Sequence, residues 1–260
     1  MADTHCGSVV GLCSRNTELD GGGTYELTDG QKWLLHCRDN LIDRIGKLSA
    51  PPVIVFNGDA CDLDDKRRTY QTISRNKATI LGITIDALEP IVRMSSAVYF
   101  TRGTPAHNGK DDWAEELLAD DFDAVKDKRH NAESWQRLHL DVDGVWIDIA
   151  HYASMSGLRY RTSSSAEALA GKIVHYYHDS GGHIPHLVIR SHNHHWGDST
   201  DDHATRAIFT PSLCLVDEYA QRLGNDVSDV GALIIYCNGG KYEVEKVRYR
   251  LPGERQWIKI

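Results

Sequence analysis

The stretch that decides the fold is residues 190–195, Arg-Ser-His-Asn-His-His, with Gly197 just beyond it. It follows a mostly apolar run at residues 184–189, which predicts a buried strand. His192 and His194 would then lie on the turn at the carboxyl end of that strand, with both imidazoles free to face one point. Imidazole is the commonest metal ligand among side chains, but an isolated His-x-His is more often a polar surface loop. The ends of the other strands decide between these interpretations.

Ligand-type residues recur where other apolar runs end. The run 53–56 leads into Asn-Gly-Asp, and the run 97–100 leads into Thr-Arg-Gly-Thr, followed by His107. Because open α/β sheets keep their ligand sites at the carboxyl ends of the strands, these residues are predicted to share one site. In chain order the candidates are Asp3, His5, Asp59, His107, His151, His192 and His194.

Length and composition describe an ordinary globular protein. The chain has 260 residues, of which 41% are hydrophobic and 25% charged, and one α/β domain over residues 1–260 is predicted. The formal charge of -8 argues against a protein that coats nucleic acid. It allows a nuclease, because bound divalent ions reverse the sign of a cleft.

Several other classes of protein are excluded by the sequence. The six cysteines form no Cys-x-x-Cys pair, which argues against a zinc ribbon or a disulfide framework. No apolar stretch approaches the ~20 residues of a membrane span, and the start lacks the pattern of a signal peptide. We therefore expect a cytoplasmic protein that does not associate with membranes.

The order of predicted elements favours an α/β sandwich with two sheets covered by helices. Helices and strands alternate first, and antiparallel strands follow. The predicted helices are 31–48, a long one ending near 92, 111–128, 162–178 and 215–223. The predicted strands are 53–56, 97–100, 138–142, 145–149, 184–189, 206–209, 232–236 and 242–250.

The candidate residues suit a pair of divalent metal ions. One carboxylate can ligate two ions ~3.5–4 Å apart, whereas one imidazole normally cannot, so Asp59 is the natural bridging group. Shells rich in nitrogen favour Mn, Fe, Zn, Co or Ni over Mg or Ca, which prefer oxygen ligands. Such a pair lowers the pKa of a water between the ions and stabilises charge on phosphoryl oxygens.

The ordered set of motifs resembles the calcineurin-like metallophosphoesterase superfamily. The set comprises Asp-x-His, Gly-Asp-x-x-Asp, a Gly-x…His element, a lone His at a strand end, and His-x-His. The resemblance implies a four-layer α/β sandwich with two mixed β-sheets flanked by helices. It also implies two-metal hydrolysis of phosphate esters by a bridging hydroxide, with manganese the foremost metal. A phosphodiesterase or nuclease acting on DNA or RNA is favoured over a phosphomonoesterase, and a degenerate member that binds metal or a partner without efficient turnover is the second hypothesis.

The resemblance assigns roles residue by residue. The first metal would be bound by Asp3, His5, Asp59 and His194, and the second by Asp59, His151 and His192. The residue that matches Asp62 usually supports its loop. The variants Asp-x-His-Cys-Gly and Arg-Gly-Thr-x-x-His are similar to bacteriophage and prophage members, for which the location would be the host cytoplasm.

The chain departs from the family pattern at three places. Only two residues precede Asp3, where the family normally has an apolar strand, so we expect either a true start upstream or a missing first strand, and Ser191 stands where the family has glycine. The third motif lacks the family's ligand asparagine, and Thr104 is a poor replacement. His107 would either replace that asparagine or stand off the metals to stabilise phosphoryl charge and protonate the leaving oxygen, and the second role is favoured.

Three arginines near the proposed site loops are candidates for substrate binding, because a guanidinium matches the geometry of a phosphate. They are Arg102, Arg159 and Arg161. A solvated charged surface is the alternative for each.

Overall fold

The structure, a computed structural model, describes residues 1–63, 71–108, 113–153, 161–222 and 227–251. Its helices are α1 (Asp29–Ile45), α2 (Lys77–Val92), α3 (Pro105–Asn108), α4 (Trp113–Asp121), α5 (Thr162–Asp179) and α6 (Glu218–Arg222). Its strands are β1 (Val53–Asn57), β2 (Ala97–Thr101), β3 (Leu138–Val142), β4 (Val145–Ile149), β5 (Leu187–Arg190), β6 (Gly197–Asp198), β7 (Arg206–Phe209), β8 (Val230–Asn238) and β9 (Lys241–Tyr249). The predicted α/β class is confirmed.

The strands form a five-stranded mixed sheet and two pairs. The mixed sheet has the order β3-β4-β5-β7-β6, in which β4, β5 and β7 run parallel and the two outer strands run antiparallel to their neighbours. The parallel pair β1-β2 and the antiparallel hairpin β8-β9 complete the strands. In the pair β1-β2 and in β4, β5 and β7, the carboxyl ends of the parallel strands lie at one edge of the sheet, as the sequence patterns predict.

Three apolar cores separate four layers, as expected for the sandwich. The first core lies between helices α1, α2 and α4 and the strands β1, β2, β8 and β9. The second lies between those strands and the mixed sheet, with Val55 and Tyr99 on one side and Ile147 and Ile189 on the other. The third joins the mixed sheet to α5. Successive side chains of a strand point to opposite faces, so β1, β2, β5 and β7 each contribute to two cores.

Two predicted element boundaries differ from the structure for local reasons. Helix α4 ends at Asp121 rather than near residue 128. Asp123 adopts a left-handed φ of 48°, which the helix cannot continue through. Strand β5 begins at Leu187 rather than Ile184, because Pro185 has no N–H to donate to a ladder.

Asn57, the last residue of β1, joins the strand ends of both halves of the sandwich. Its Oδ1 accepts a hydrogen bond from Thr101 Oγ1 at 2.6 Å. Its Nδ2 donates to the Ala150 carbonyl at 3.1 Å and to Ser191 Oγ at 2.6 Å. The ends of β1, β2, β4 and β5 are therefore tied together by one buried amide. The serine in place of the family's glycine is part of this link.

No helix within the described residues is long and apolar enough to cross a membrane. The cytoplasmic location stays a prediction.

Candidate metal centre

The structure brings the six predicted metal ligands together at the tied strand ends. They form two adjacent groups of potential ligand atoms, each within 4.8 Å: Asp3 with His5 and His194, and Asp59 with His151 and His192. These are the two sets that the family resemblance implies, except that Asp59 falls in the second group alone. Its bridging role stays a prediction.

The backbone of the centre is held in an uncommon conformation. Asp3, His5, Asp59, His192 and His194 all have φ between 43° and 77°. For residues other than glycine this left-handed region costs on the order of 1–3 kcal/mol each and concentrates at functional sites. Two backbone hydrogen bonds of 3.1 Å, from Asp3 N–H to the Gly58 carbonyl and from His5 N–H to the Asp59 carbonyl, hold the first loop beside the second.

The donor set fits a metal ion. His5 Nε2 and His194 Nε2 lie 3.2 Å apart, close to the ~3.3 Å expected for two nitrogens bound to one ion at about 2.0–2.1 Å. Asp3 Oδ1 is buried, has no hydrogen-bond partner among the described residues, and lies 3.3 Å from His194 Nε2 and 3.8 Å from His151 Nε2. A buried carboxylate oxygen without a partner is costly, and a cation between these atoms would satisfy it.

His151 is oriented for ligation through Nε2. Its Nδ1–H donates to the Asn57 carbonyl at 2.7 Å, and its Nε2 lies 3.0 Å from Asp59 Oδ2. Burial lowers the pKa of His151, but Asp59 and Asp3 outweigh burial and raise it to about 10. For Asp59 the effect of burial has the opposite sign and raises the pKa, but His151 and His192 outweigh it and hold the pKa well below its usual range. A metal ion would therefore take the place of the proton on Nε2.

Asp62, matched to a loop-supporting residue in the family, holds two histidines of the site. Its Oδ1 lies 2.8 Å from His5 Nδ1 and 2.6 Å from His107 Nδ1. These three residues form a further group of potential ligands, but 2.6 Å is a hydrogen-bond distance and too short for two ligands of one ion. Asp62 thereby directs Nε2 of His5 toward Asp3 and holds the ring of His107 through Nδ1.

Asn108 is a candidate ligand that the sequence interpretation missed. It is fully buried at the end of α3, and its Nδ2 donates to Asp59 Oδ1 at 3.2 Å, while its Oδ1 has no partner among the described residues. Rotation of the amide would present the oxygen to an ion beside Asp59. Thr104 instead contacts Asp59 through its N–H and its hydroxyl. The available signal was an asparagine directly after His107, in the reverse of the family order.

Glu115 on α4 is a buried carboxyl group beneath the centre. Its Oε1 accepts a hydrogen bond from Ala60 N–H at 3.4 Å, and its Oε2 has no partner among the described residues. Burial, reinforced by the charge of Asp59, raises the pKa of Glu115 to about 8. Between the ordinary pKa of glutamate and pH 8 the folded protein holds a proton that the unfolded chain has lost, so this group makes stability fall as pH rises.

The substitution Glu115→Gln should therefore stabilise the metal-free protein at pH 8 and have little effect at pH 5. We expect the gain in the free energy of unfolding at pH 8 to be on the order of 2–4 kcal/mol, measured by urea unfolding at both pH values. Glu116→Gln is the matched control. Glu116 forms an ion pair with Arg102, so this substitution should destabilise the protein instead. An equal effect of Glu115→Gln at both pH values would contradict the prediction.

A cavity of about 320 Å³ adjoins the centre. Its lining includes six titratable residues of the centre, which we call the polar floor: His5, Asp59, Asp62, His107, His192 and His194. The predicted substrate-binding arginines are placed elsewhere or not described. Arg102 bonds to Glu116 at 3.0 Å and does not line the cavity, Arg161 is exposed at the start of α5, and Arg159 lies outside the described residues.

No protein-family model and no curated protein matches the sequence. The solved structures that resemble this chain include Vps29 proteins and TM1076. Wild-type Vps29 from Entamoeba histolytica, complexed with Zn²⁺, is 13% identical with a TM-score of 0.42, covering 81% of this chain and 88% of that chain. A single mutant of the same Vps29 is 9% identical with a TM-score of 0.42, covering 82% and 89%. TM1076 from Thermotoga maritima is 13% identical with a TM-score of 0.37, covering 81% and 87%.

Proposed function

We propose that this protein is a two-metal phosphoesterase that hydrolyses phosphodiesters, related to the calcineurin-like metallophosphoesterases. The observation that carries the proposal is the convergence of six predicted ligands into two adjacent groups around the unpartnered Asp3 Oδ1. Two ions held there would supply a water of lowered pKa and positive charge for the phosphoryl oxygens. Manganese is the first metal to test, with Fe, Zn, Co and Ni as alternatives.

The chain's own residues orient this chemistry. Asp62 fixes the ring of His5, and the Asn57 carbonyl fixes the ring of His151. Hydrogen bonds of this kind set the tautomer of a metal-ligating histidine and raise its basicity. His107 also bonds to Asp62 through Nδ1, and it lines the cavity. This position suits it to protonate the oxygen of the departing alcohol.

A diester is preferred to a monoester because the cavity extends beyond the polar floor. A volume of about 320 Å³ accommodates an ester group as well as a phosphoryl group. Arg102 gives this preference no support, since Glu116 engages it. Hydrolysis of DNA or RNA, a phage origin and a cytoplasmic location all stay predictions.

The test is hydrolysis of two model substrates by the manganese-loaded protein, with bound metal quantified in parallel. We expect up to two metal ions per chain and a higher kcat/KM for bis(p-nitrophenyl) phosphate than for p-nitrophenyl phosphate. A far faster monoester reaction would make the protein a phosphomonoesterase. Two bound ions without turnover of either ester, or of DNA or RNA, would make it a degenerate metal-binding or partner-binding member.

A further inference from the structure

The cavity lining also includes aliphatic residues. Five of them form what we call the apolar wall: Val10, Leu215, Val216, Ala220 and Val227. Most of these side chains are half-buried, and Val227 is 41% exposed. A cavity that contains both metal-ligand groups and apolar side chains suits a ligand with one charged end and one apolar end.

The apolar wall is attached directly to the loops that carry the ligands. Leu215 N–H donates to the Val10 carbonyl at 2.9 Å, and Leu213 N–H donates to the Asp3 carbonyl at 3.2 Å. On the other side, Asp229 N–H donates to the His194 carbonyl at 2.8 Å. Helix α6 begins at Glu218 rather than at residue 215 as predicted, because the Asp217 carboxylate caps it there. The wall therefore has a fixed position relative to the polar floor.

The charge of the described lining residues also favours a ligand with an uncharged end. Their charged groups are aspartates and histidines, beside the thiol of Cys214, without lysine or arginine. The carboxylate of Asp217, between the wall residues, accepts a hydrogen bond from Ala220 N–H at 2.6 Å and so caps α6. The wall thus offers apolar contact rather than a site for a second phosphate.

We propose that the apolar wall binds the uncharged alkyl or aryl group of a phosphate ester whose phosphoryl group lies on the polar floor. The inference rests on the proposed function and deepens it by naming the substrate class. Esters of apolar alcohols would be preferred to nucleic acids, whose neighbouring phosphates would face Asp217.

The test is binding of methyl-, butyl- and hexylphosphonate to the manganese-loaded protein, measured by isothermal titration calorimetry. The three compounds share one charged group and are not hydrolysed, so the readout is independent of turnover. Each fully buried methylene improves affinity about fourfold. With partial burial, Kd is expected to fall at least ~10-fold from methylphosphonate to hexylphosphonate.

Two wall variants, Val227→Asn and Val216→Ser, should each weaken hexylphosphonate binding about 3- to 10-fold and leave methylphosphonate binding unchanged. Val125→Asn is the matched control, because Val125 is a loop valine of 39% exposure outside the cavity. Equal Kd values across the three phosphonates, or a chain-length dependence unchanged in both wall variants, would overturn the inference. Failure of methylphosphonate itself to bind would overturn the phosphoryl centre, and the inference with it.

Discussion

Asp59→Asn is expected to reduce phosphodiester hydrolysis by about 10³-fold or more and to lower the number of bound metal ions. Lewis-acid stabilisation of a phosphoryl transition state is worth several kcal/mol, and each 1.4 kcal/mol is a factor of ten in rate. Asp59 accepts hydrogen bonds from Thr104 N–H and Asn108 Nδ2. Asparagine keeps the shape and one acceptor oxygen but not the charge, so the fold should be retained.

The measurements are kcat/KM for bis(p-nitrophenyl) phosphate, metal content after dialysis, and circular dichroism. Asp123→Asn is the matched control, because Asp123 is another aspartate with a left-handed φ, 48°, and lies at the end of α4 away from the ligand groups. It should retain both activity and metal. Full activity in Asp59→Asn would contradict the two-metal proposal.

His107→Ala is expected to lower kcat by roughly 10²–10⁴-fold while leaving the metal content unchanged, as general acid–base catalysis typically contributes that factor. His107 lines the cavity beside the ligand groups, and Asp62 holds its ring through Nδ1. The loss should be large for a diester with an alkyl leaving group. It should be small for a p-nitrophenyl ester, because that leaving group departs without a proton.

The variant Asn108→Ala tests whether Asn108, rather than His107, is the metal ligand that replaces the family asparagine. If Asn108 supplies the amide oxygen to the second group, this variant should lose about one metal equivalent, whereas His107→Ala should not. The two residues are adjacent on α3, so they test the same local structure. Loss of one metal equivalent in His107→Ala would make His107 the replacement for the family asparagine.

The positions of the strand-end residues were predictable from the sequence, because short apolar runs followed by glycine and polar residues mark buried strands and their carboxyl ends. Asp59 follows β1 in this way, whereas His151 follows the alternating run of β4 and Ala150. The pattern also predicted the layers, since alternating side chains of one strand must be buried on both faces. The pairing of His192 and His194 with different groups came only from the family resemblance.

The remaining features depend on contacts between distant segments, which no local pattern encodes. Asp62 bonds to His5 and His107, at sequence separations of 57 and 45 residues. The amide of Asn108 reaches Asp59 because α3 turns directly after β2. The apolar wall exists because residues near 215 pair with Val10, at the opposite end of the chain.

The link through Asn57 has a consequence for the order of folding. Its partners Thr101, Ala150 and Ser191 lie at the ends of three strands, β2, β4 and β5, which belong to two different sheets. A chain in which only one half has folded would therefore hold just one part of the ligand set. Metal ions would add to stability only after both halves have docked, through preferential binding to the native state. Unfolding of the metal-loaded protein should consequently be more cooperative than that of the metal-free protein, with both sheets lost in one transition.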